Sequence, residues 1–200
     1  MYQTTIDTYN ELAHEYDAET SNFWNKFPRT IMNKFVKLTK GKVLDVGSGA
    51  GRDGVILKNT GLDVTCIDAS ESMVNLSRSR GLKSIVGDFE SLPFSDKSFD
   101  GVWAYTSLLH IPKSEVGKSF EEISRVLKKD GTFCLGLIEG KNEMYRESLG
   151  VKKSRWFSFY TKTEIENLLQ KNGFKIIYFE KFKPNAKNYL NFISRKLEVE

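Results

Sequence analysis

Two hydrophobic rhythms alternate along the chain. From Lys42 onward, short apolar runs that read as buried strands are separated by stretches whose apolar residues recur every three or four positions, the helical period. Lys42–Val46, Asp63–Ile67, Lys83–Val86, Phe99–Ala104 and Thr132–Ile138 are the first five predicted strands. Before the last of these, Val116, Phe120, Ile123, Val126 and Leu127 form a one-sided helical stripe, which ends at Lys128-Lys129 with Asp130-Gly131 as the turn into the strand. Thr161 and Glu164 then have the spacing of a capping box; Ile165, Leu168 and Leu169 share a face, and Asn172-Gly173 is a stop, predicting a helix over 162–171. Strands near Phe174–Phe182 and Tyr189–Lys196 follow, joined by a link too short for a parallel crossover, so they pair antiparallel. Upstream, Tyr9, Leu12, Ala13 and Tyr16 keep helical spacing, and Ile31, Phe35 and Leu38 predict a second helix leading to Gly41. Strands that alternate with helices imply an α/β domain with a mostly parallel sheet.

Composition narrows this to one domain. With 200 residues, 40% hydrophobic and 28% charged, the chain supports a single well-buried core, expected to span 1–200. Asp7, Glu11, Glu15, Asp17 and Glu19 interrupt the first twenty residues, and no uncharged run approaches membrane-spanning length, so a cytoplasmic protein without a membrane partner is expected. Cys66 and Cys134 lie inside apolar strand-like runs and read as buried free thiols, with no Cys/His spacing for a metal. The net charge of +4 is uneven: residues 141–200 hold 13 Lys or Arg against 7 Asp or Glu. Those basic residues are scattered, which fits solvated surface faces better than a nucleic-acid patch.

The chemistry concentrates in Val43-Leu44-Asp45-Val46-Gly47-Ser48-Gly49-Ala50-Gly51-Arg52-Asp53, with a second acid, Asp68, closing the next predicted strand. Glycines at a strand-to-helix turn let a ligand lie against the backbone. Asp45, two positions before the first glycine, would repel a pyrophosphate and favour a ligand carrying positive charge. S-adenosylmethionine, with an ammonium, a sulfonium and no phosphate, is such a ligand. A nicotinamide-type loop is disfavoured further because Arg52 stands where its third glycine would fall.

Four segments in order, Val43 to Gly51, Asp68, Gly87-Asp88-Phe89-Glu90-Ser91-Leu92-Pro93-Phe94 through Asp100, and Arg125-Val126-Leu127-Lys128-Lys129-Asp130-Gly131-Thr132, resemble the class I S-adenosylmethionine-dependent methyltransferases. Within these the chain looks like the large subgroup that includes the ubiquinone/menaquinone-biosynthesis type, over roughly Tyr9 to Lys196. The resemblance implies a Rossmann-like, doubly wound sheet of seven strands, mostly parallel with an antiparallel C-terminal strand, preceded by two N-terminal helices. It also implies S-adenosyl-L-methionine as cofactor and S-adenosyl-L-homocysteine as product. Gly47, Ser48 and Gly49 would run alongside the methionine part, Asp45 would face its ammonium, and Arg52 or free helix-start N–H groups its carboxylate. Asp68 would accept from both ribose hydroxyls. Ala69 and Met73 would border ribose and adenine, Asp88 would meet the adenine amino group, and Phe89 would pack near the ring. Ala104 and Tyr105 would line the methyl end, with Tyr16 reaching the cofactor from a lid over residues 1–40.

Several of these residues have plainer readings. Asp68 alone reads equally as a helix N-cap and Asp88 as a turn residue, while Met73 and Phe89 by themselves are core types. Asp45 has no such reading, because an unpaired buried carboxylate is costly. Methyl transfer from a sulfonium depends on an acceptor held in line, and a base is needed only if the acceptor must lose a proton. His110 is the nearest candidate base, with His14 and Tyr105 as others, although a satisfied structural histidine is the stronger reading of His110. No catalytic residue is assigned. The segment Ala104-Tyr105-Thr106-Ser107 lacks the Asn-Pro-Pro-Tyr-like tetrad of amino-directed nucleic-acid enzymes of this resemblance.

The acceptor is the least legible part. A small molecule is the leading expectation, with the N-terminal helices and a variable loop over 140–160 covering the site. The aromatics of Arg155-Trp156-Phe157-Ser158-Phe159-Tyr160 serve either as pocket walls or as a seat for the loop against the capped helix. A modified base in tRNA is the alternative, since the tail from Trp156 to Lys196 distantly resembles tRNA wobble-uridine methyltransferases. A non-catalytic cofactor-binding subunit is a third reading.

Overall fold

A computed structural model describes residues 3–147, 153–184 and 186–197. The strands predicted from the apolar runs form one seven-stranded sheet. They are β1 (Lys42–Val46), β2 (Asp63–Asp68), β3 (Lys83–Val86), β4 (Phe99–Tyr105), β5 (Leu127–Ile138), β8 (Phe174–Phe182) and β9 (Tyr189–Lys196). Their order is β3-β2-β1-β4-β5-β9-β8. The pairs β2–β3, β1–β2, β1–β4 and β4–β5 are parallel, while β9 runs antiparallel to both β5 and β8. The order reverses between β1 and β4, which opens a crevice at their C-terminal ends.

Both faces of the sheet are covered, so central strands are apolar at nearly every position. In β4, Val102 and Ala104 join the cluster on one face, where helices α7 (Val116–Val126) and α8 (Lys162–Lys171) pack through Phe120, Ile123, Ile165 and Leu169. Trp103 and Tyr105 join the cluster on the other face, with Ile31, Met32 and Phe35 of helix α4 (Thr30–Leu38) and Leu57 of helix α5 (Arg52–Asn59). Each such fully buried side chain contributes about 1.5–3 kcal/mol of transfer free energy. The capping box at Thr161 and Glu164 is formed, and α8 has the predicted bounds. Cys66 and Cys134 are buried free thiols.

Three segments differ from the sequence-based expectation. The first predicted N-terminal helix is bent into α1 (Gln3–Glu11) and α2 (Ala13–Thr20) at Leu12, with backbone bonding continued by Leu12 N–H to Thr8 O (3.1 Å) and Tyr16 N–H to Leu12 O (2.9 Å). A single extra turn, α3 (Phe23–Lys26), precedes α4, so four helical pieces replace the expected two. Second, extended backbone begins at Leu127 and not at Thr132. Leu127 pairs with Phe99, and the exposed Lys128–Asp130 turn loops out before pairing resumes at Thr132 with Gly101, held by Lys128 Nζ on Asp100 Oδ1 (2.7 Å). Third, the expected loop over 140–160 contains two antiparallel strands, β6 (Glu143–Arg146) and β7 (Arg155–Ser158), and its residues 148–152 lie outside the described residues.

Helix α6 (Glu71–Ser79) follows β2 and supports a third, small cluster: Ala13, Ala50 and Met73, with Tyr9 and Tyr16 against them. This cluster sets α1 and α2 as a roof above the crevice. Among the described residues, no helix is long and apolar enough to cross a membrane.

Candidate active site

The crevice is built from the turn after β1. Gly47 N–H and Ser48 N–H both donate to Ile67 O of β2 (2.8 and 3.1 Å), so the loop folds over the end of the neighbouring strand. Gly47 has φ +68°, and a Cβ there would stand 2.2 Å from Ser107 Cβ; only glycine fits. Gly49 also has positive φ, +53°, but a Cβ there would meet nothing within 4 Å. The backbone at Gly49 therefore faces open space, a cradle for a ligand and not a packing contact.

Asp45 points into this space. It is 2% exposed and its Oδ2 has no hydrogen-bond partner. Burial first, then repulsion from Asp53, pushes its carboxyl well above the ordinary range; Arg52 pulls the other way and Asp68 adds to the rise. A desolvated carboxylate among other carboxylates attracts a cation. The arrangement fits the ammonium of an amino-acid moiety and does not fit a phosphate.

Asp68 stands across the loop. Its Oδ2 accepts from Gly49 N–H (2.8 Å) and its Oδ1 from Ser70 N–H (2.9 Å), while burial raises its pKa. Each oxygen keeps a second lone pair for a hydroxyl donor. The N-cap of α6 is Ser70, which accepts from Met73 N–H (3.2 Å), so the capping role considered for Asp68 belongs to its neighbour but one.

A cleft of about 790 Å³ collects these groups. Of the expected cofactor-contacting residues, Tyr16, Asp45, Gly47, Ser48, Gly49, Arg52, Asp68, Ala69, Met73, Phe89 and Tyr105 line it. Asp88 and Ala104 do not. Asp88 Oδ1 accepts from Glu90 N–H (2.9 Å) in a tight turn, and Ala104 is fully buried on the opposite face of the sheet.

Asp53 is a lining residue that sequence reasoning passed over. It is 5% exposed; Oδ1 accepts from Trp24 Nε1 (2.8 Å) and Arg52 Nε (2.6 Å), and Oδ2 from Trp103 Nε1 (2.9 Å). One carboxylate thus ties α3, the start of α5 and β4 together. The signal was in the motif, but its partners lie 29 and 50 residues away.

His110 lies in the short 3-10 turn Leu108–His110 and also lines the cleft. Its Nδ1 lies 2.6 Å from Trp156 O, an acceptor, and therefore carries the proton; Nε2 then accepts from Tyr9 OH at 2.8 Å. Tyr9 OH in turn accepts from Arg155 Nη1 (3.0 Å). Burial lowers the His110 pKa to about 3, so the ring is neutral and both nitrogens are engaged. The satisfied structural reading of His110 describes this geometry better than a general base. His14, the other histidine considered, is exposed and not part of the lining.

A second, larger cavity of about 1380 Å³ adjoins the first and shares Tyr9, Tyr16, Arg52, Tyr105, Thr106 and His110 with it. Phe157 of β7 is buried and reaches this cavity, its ring edge-on to His110 (4.9 Å between centroids), whereas Trp156 turns its indole to Tyr145 (5.1 Å). Of the aromatics in that segment, one is a wall and another seats the hairpin. Among the described residues no group of three or more His, Cys, Asp or Glu side chains is placed to hold a metal.

Comparison with known proteins agrees with this geometry. A family profile described as a methyltransferase domain matches residues 44–135. An uncharacterized protein of Methanocaldococcus jannaschii is 25% identical over 95% of this chain and 90% of its own length. An uncharacterized methyltransferase of Staphylococcus carnosus is 27% identical over 80% of this chain and 79% of its own. Among solved structures, 1,6-didemethyltoxoflavin-N1-methyltransferase of Burkholderia thailandensis, with 1,6-didemethyltoxoflavin and S-adenosylhomocysteine bound, shares the fold (TM-score 0.68, 21% identity, 93% of this chain and 91% of that one). With the glycine loop, the two acids and the β3-β2-β1-β4-β5-β9-β8 sheet in place, the chain carries a methyltransferase domain over residues 44–135 on the fold of S-adenosylmethionine-dependent methyltransferases, and S-adenosyl-L-methionine is its cofactor.

Proposed function

We propose that the protein methylates a small molecule, holding the cofactor in the cleft beside Asp45 and the acceptor in the adjoining cavity. The observation that carries this reading is the wall the two spaces share: Tyr105, Thr106 and His110 border both, so a group in one lies next to a group in the other. The roof of α1 and α2 supports a small acceptor, since Tyr9, Tyr16 and Thr20 of these helices border the chamber. On this reading Asp45 takes the ammonium, Asp68 the ribose hydroxyls, and Met73 and Phe89 border the adenine. Arg52, already bound to Asp53, offers its remaining N–H donors to the cofactor carboxylate. The helices α1 to α4 act as a lid that excludes water, and β7, through Arg155 and Phe157, borders the acceptor side within one domain.

When bound, the cofactor supplies a methyl group on a sulfonium, already activated for transfer. The chain's own residues then position the acceptor and exclude water. His110, neutral and engaged at both nitrogens, orients Tyr9 and Phe157 and takes no proton at neutral pH.

The test is a methyl-transfer screen with labelled cofactor against small-molecule extracts and bulk tRNA. Label in the small-molecule fraction supports this reading. Label confined to tRNA, with binding that weakens steeply with salt, replaces it by the tRNA-base alternative. Cofactor binding without label in either fraction replaces it by the non-catalytic subunit.

A further inference from the structure

The border between the two spaces holds a backbone outlier. Among the described residues, Lys97, Thr106 and Asp130 are the residues other than glycine with positive φ, at +54°, +58° and +59°. Lys97 and Asp130 are exposed, and aspartate tolerates that region. Thr106 is half-buried and β-branched, and for such a side chain the conformation is costly. The end of β4 imposes it. Thr106 N–H donates to Gly136 O (2.8 Å), and the next residue, Ser107, turns in against the glycine loop, its Cβ 2.2 Å from where a Cβ on Gly47 would stand. Glycine at 106 would make this turn without strain. The threonine bears the cost, no described residue hydrogen-bonds its Oγ1, and it borders both the cofactor cleft and the larger cavity.

The rest of that border offers no base. Among the described residues no carboxylate lines both spaces. His110 has both ring nitrogens engaged, by Trp156 O and Tyr9 OH, and Thr20 Oγ1 donates to Tyr16 O (2.7 Å). Arg52 is a cation bound to Asp53, and burial pushes the Tyr105 phenol well above its ordinary pKa. Tyr16, on the roof, stands edge-on to Tyr9 (5.1 Å between centroids). A nucleophile at this border therefore reacts without first giving up a proton, as a neutral amine does and a hydroxyl as a rule does not. Phe23, Phe157 and Tyr189 line the larger cavity and suit an aromatic ring, the kind of body that keeps an attached amine uncharged at neutral pH.

We propose that the methyl acceptor is an uncharged amine nitrogen borne by an aromatic ring, and that Thr106 Oγ1 accepts from its N–H and so turns the nitrogen lone pair toward the cofactor cleft. This rests on the small-molecule reading above. A threonine hydroxyl has the lone pairs to accept that bond, and the held nitrogen meets the methyl group in line. The nitrogen lone pair forms the N–CH3 bond as the S–CH3 bond breaks; S-adenosylhomocysteine departs with a neutral sulfur, and the positive charge passed to nitrogen is discharged by loss of the N–H proton to water.

The test uses the full chain, labelled S-adenosylmethionine and small-molecule extract, with the methylated atom in the labelled product identified by mass spectrometry and NMR. We expect the label on an aromatic amine nitrogen. Thr106→Ala and Thr106→Ser both remove the β-branch and differ by the hydroxyl alone. Thr106→Ala should lower the initial rate of labelling about tenfold or more, and Thr106→Ser should keep it within about threefold. S-adenosylhomocysteine affinity, measured by calorimetry on the same samples, should stay within about threefold in both and report that they are folded. A purely structural role would move the two variants alike, and equal rates in Ala and Ser would overturn the proposal. Label on oxygen, carbon or sulfur would overturn it while leaving the small-molecule reading in place. Absence of label from the small-molecule fraction with the unaltered chain would overturn both.

Discussion

Burial and the carboxylates of Asp53 and Asp68 raise the Asp45 pKa well above its ordinary value, so the folded chain gives up that proton less readily than the unfolded chain does. A raised carboxyl contributes stability at low pH that is lost as pH rises through the folded pKa. At neutral pH the cofactor-free protein therefore bears Asp45 as a cost to stability. Asp45→Asn is expected to raise the Tm of the cofactor-free protein and to lower S-adenosylhomocysteine affinity by about tenfold or more, read by thermal unfolding and calorimetry on the same sample. Asp68→Ala is expected to weaken that affinity by a similar factor, since hydroxyl donors lose their acceptor; unchanged affinity would remove Asp68 from the ribose role. His110 runs in the opposite sense. Its folded pKa of about 3 lies below the ordinary 6.5, so the stability it contributes is present above about pH 6.5 and is lost as pH falls toward 3. Replacing it with Asn should flatten Tm against pH between about 4 and 6.5, and the unaltered enzyme should show no histidine inflection in kcat near pH 6–7. These residues differ in how well the sequence exposes them. Asp45 and Asp68 belong to two adjacent strands, Gly47 follows the first directly, and all three announce themselves by local spacing, whereas Asp53 depends on two indoles and His110 on a carbonyl that only the folded chain brings near.

Strands and helices whose limits are set locally match the sequence pattern. Capping at Thr161 and the apolar run of β1 need no distant partner, and both have the predicted bounds. The roof does need distant partners. Asn10 of α1 accepts from Ser70 Oγ (2.7 Å) and Ser72 N–H (3.3 Å) at the start of α6, Arg80 reaches Asp17 of α2 (2.5 Å), and Trp156 N–H donates to Thr5 Oγ1 (2.9 Å). Short helices are marginal alone, so these latches fix where they bend and stop, and periodicity could not reveal the break at Leu12. Loosening one latch should speed ligand exchange. Asn10→Ala is expected to raise the S-adenosylhomocysteine dissociation rate about fivefold, the equivalent of one hydrogen bond of ~1 kcal/mol, measured by stopped-flow. An unchanged rate would mean that α1 does not gate the cleft.

Across the whole molecule, sheet order carries function. Reversal between β1 and β4 brings Asp45, the end of β2 at Asp68 and the end of β4 at Tyr105 to one rim, and the C-terminal pair β8–β9 adds Tyr189 to the neighbouring chamber. The alternation of apolar runs implied this architecture, but a sequence does not disclose that Arg52, Arg155 and Lys187, from three remote segments, border one chamber. The carboxylate of Asp53 has an optical consequence as well. The chain has three tryptophans: Trp24 and Trp103 donate their indole N–H groups to that one carboxylate, and the backbone carbonyl of Trp156 receives His110 between the two cavities. Two of the three indoles thus report on Asp53 in the wall of the cofactor cleft, and filling that cleft should change the intrinsic emission of the unlabelled protein, giving the cofactor a titration curve without a dye.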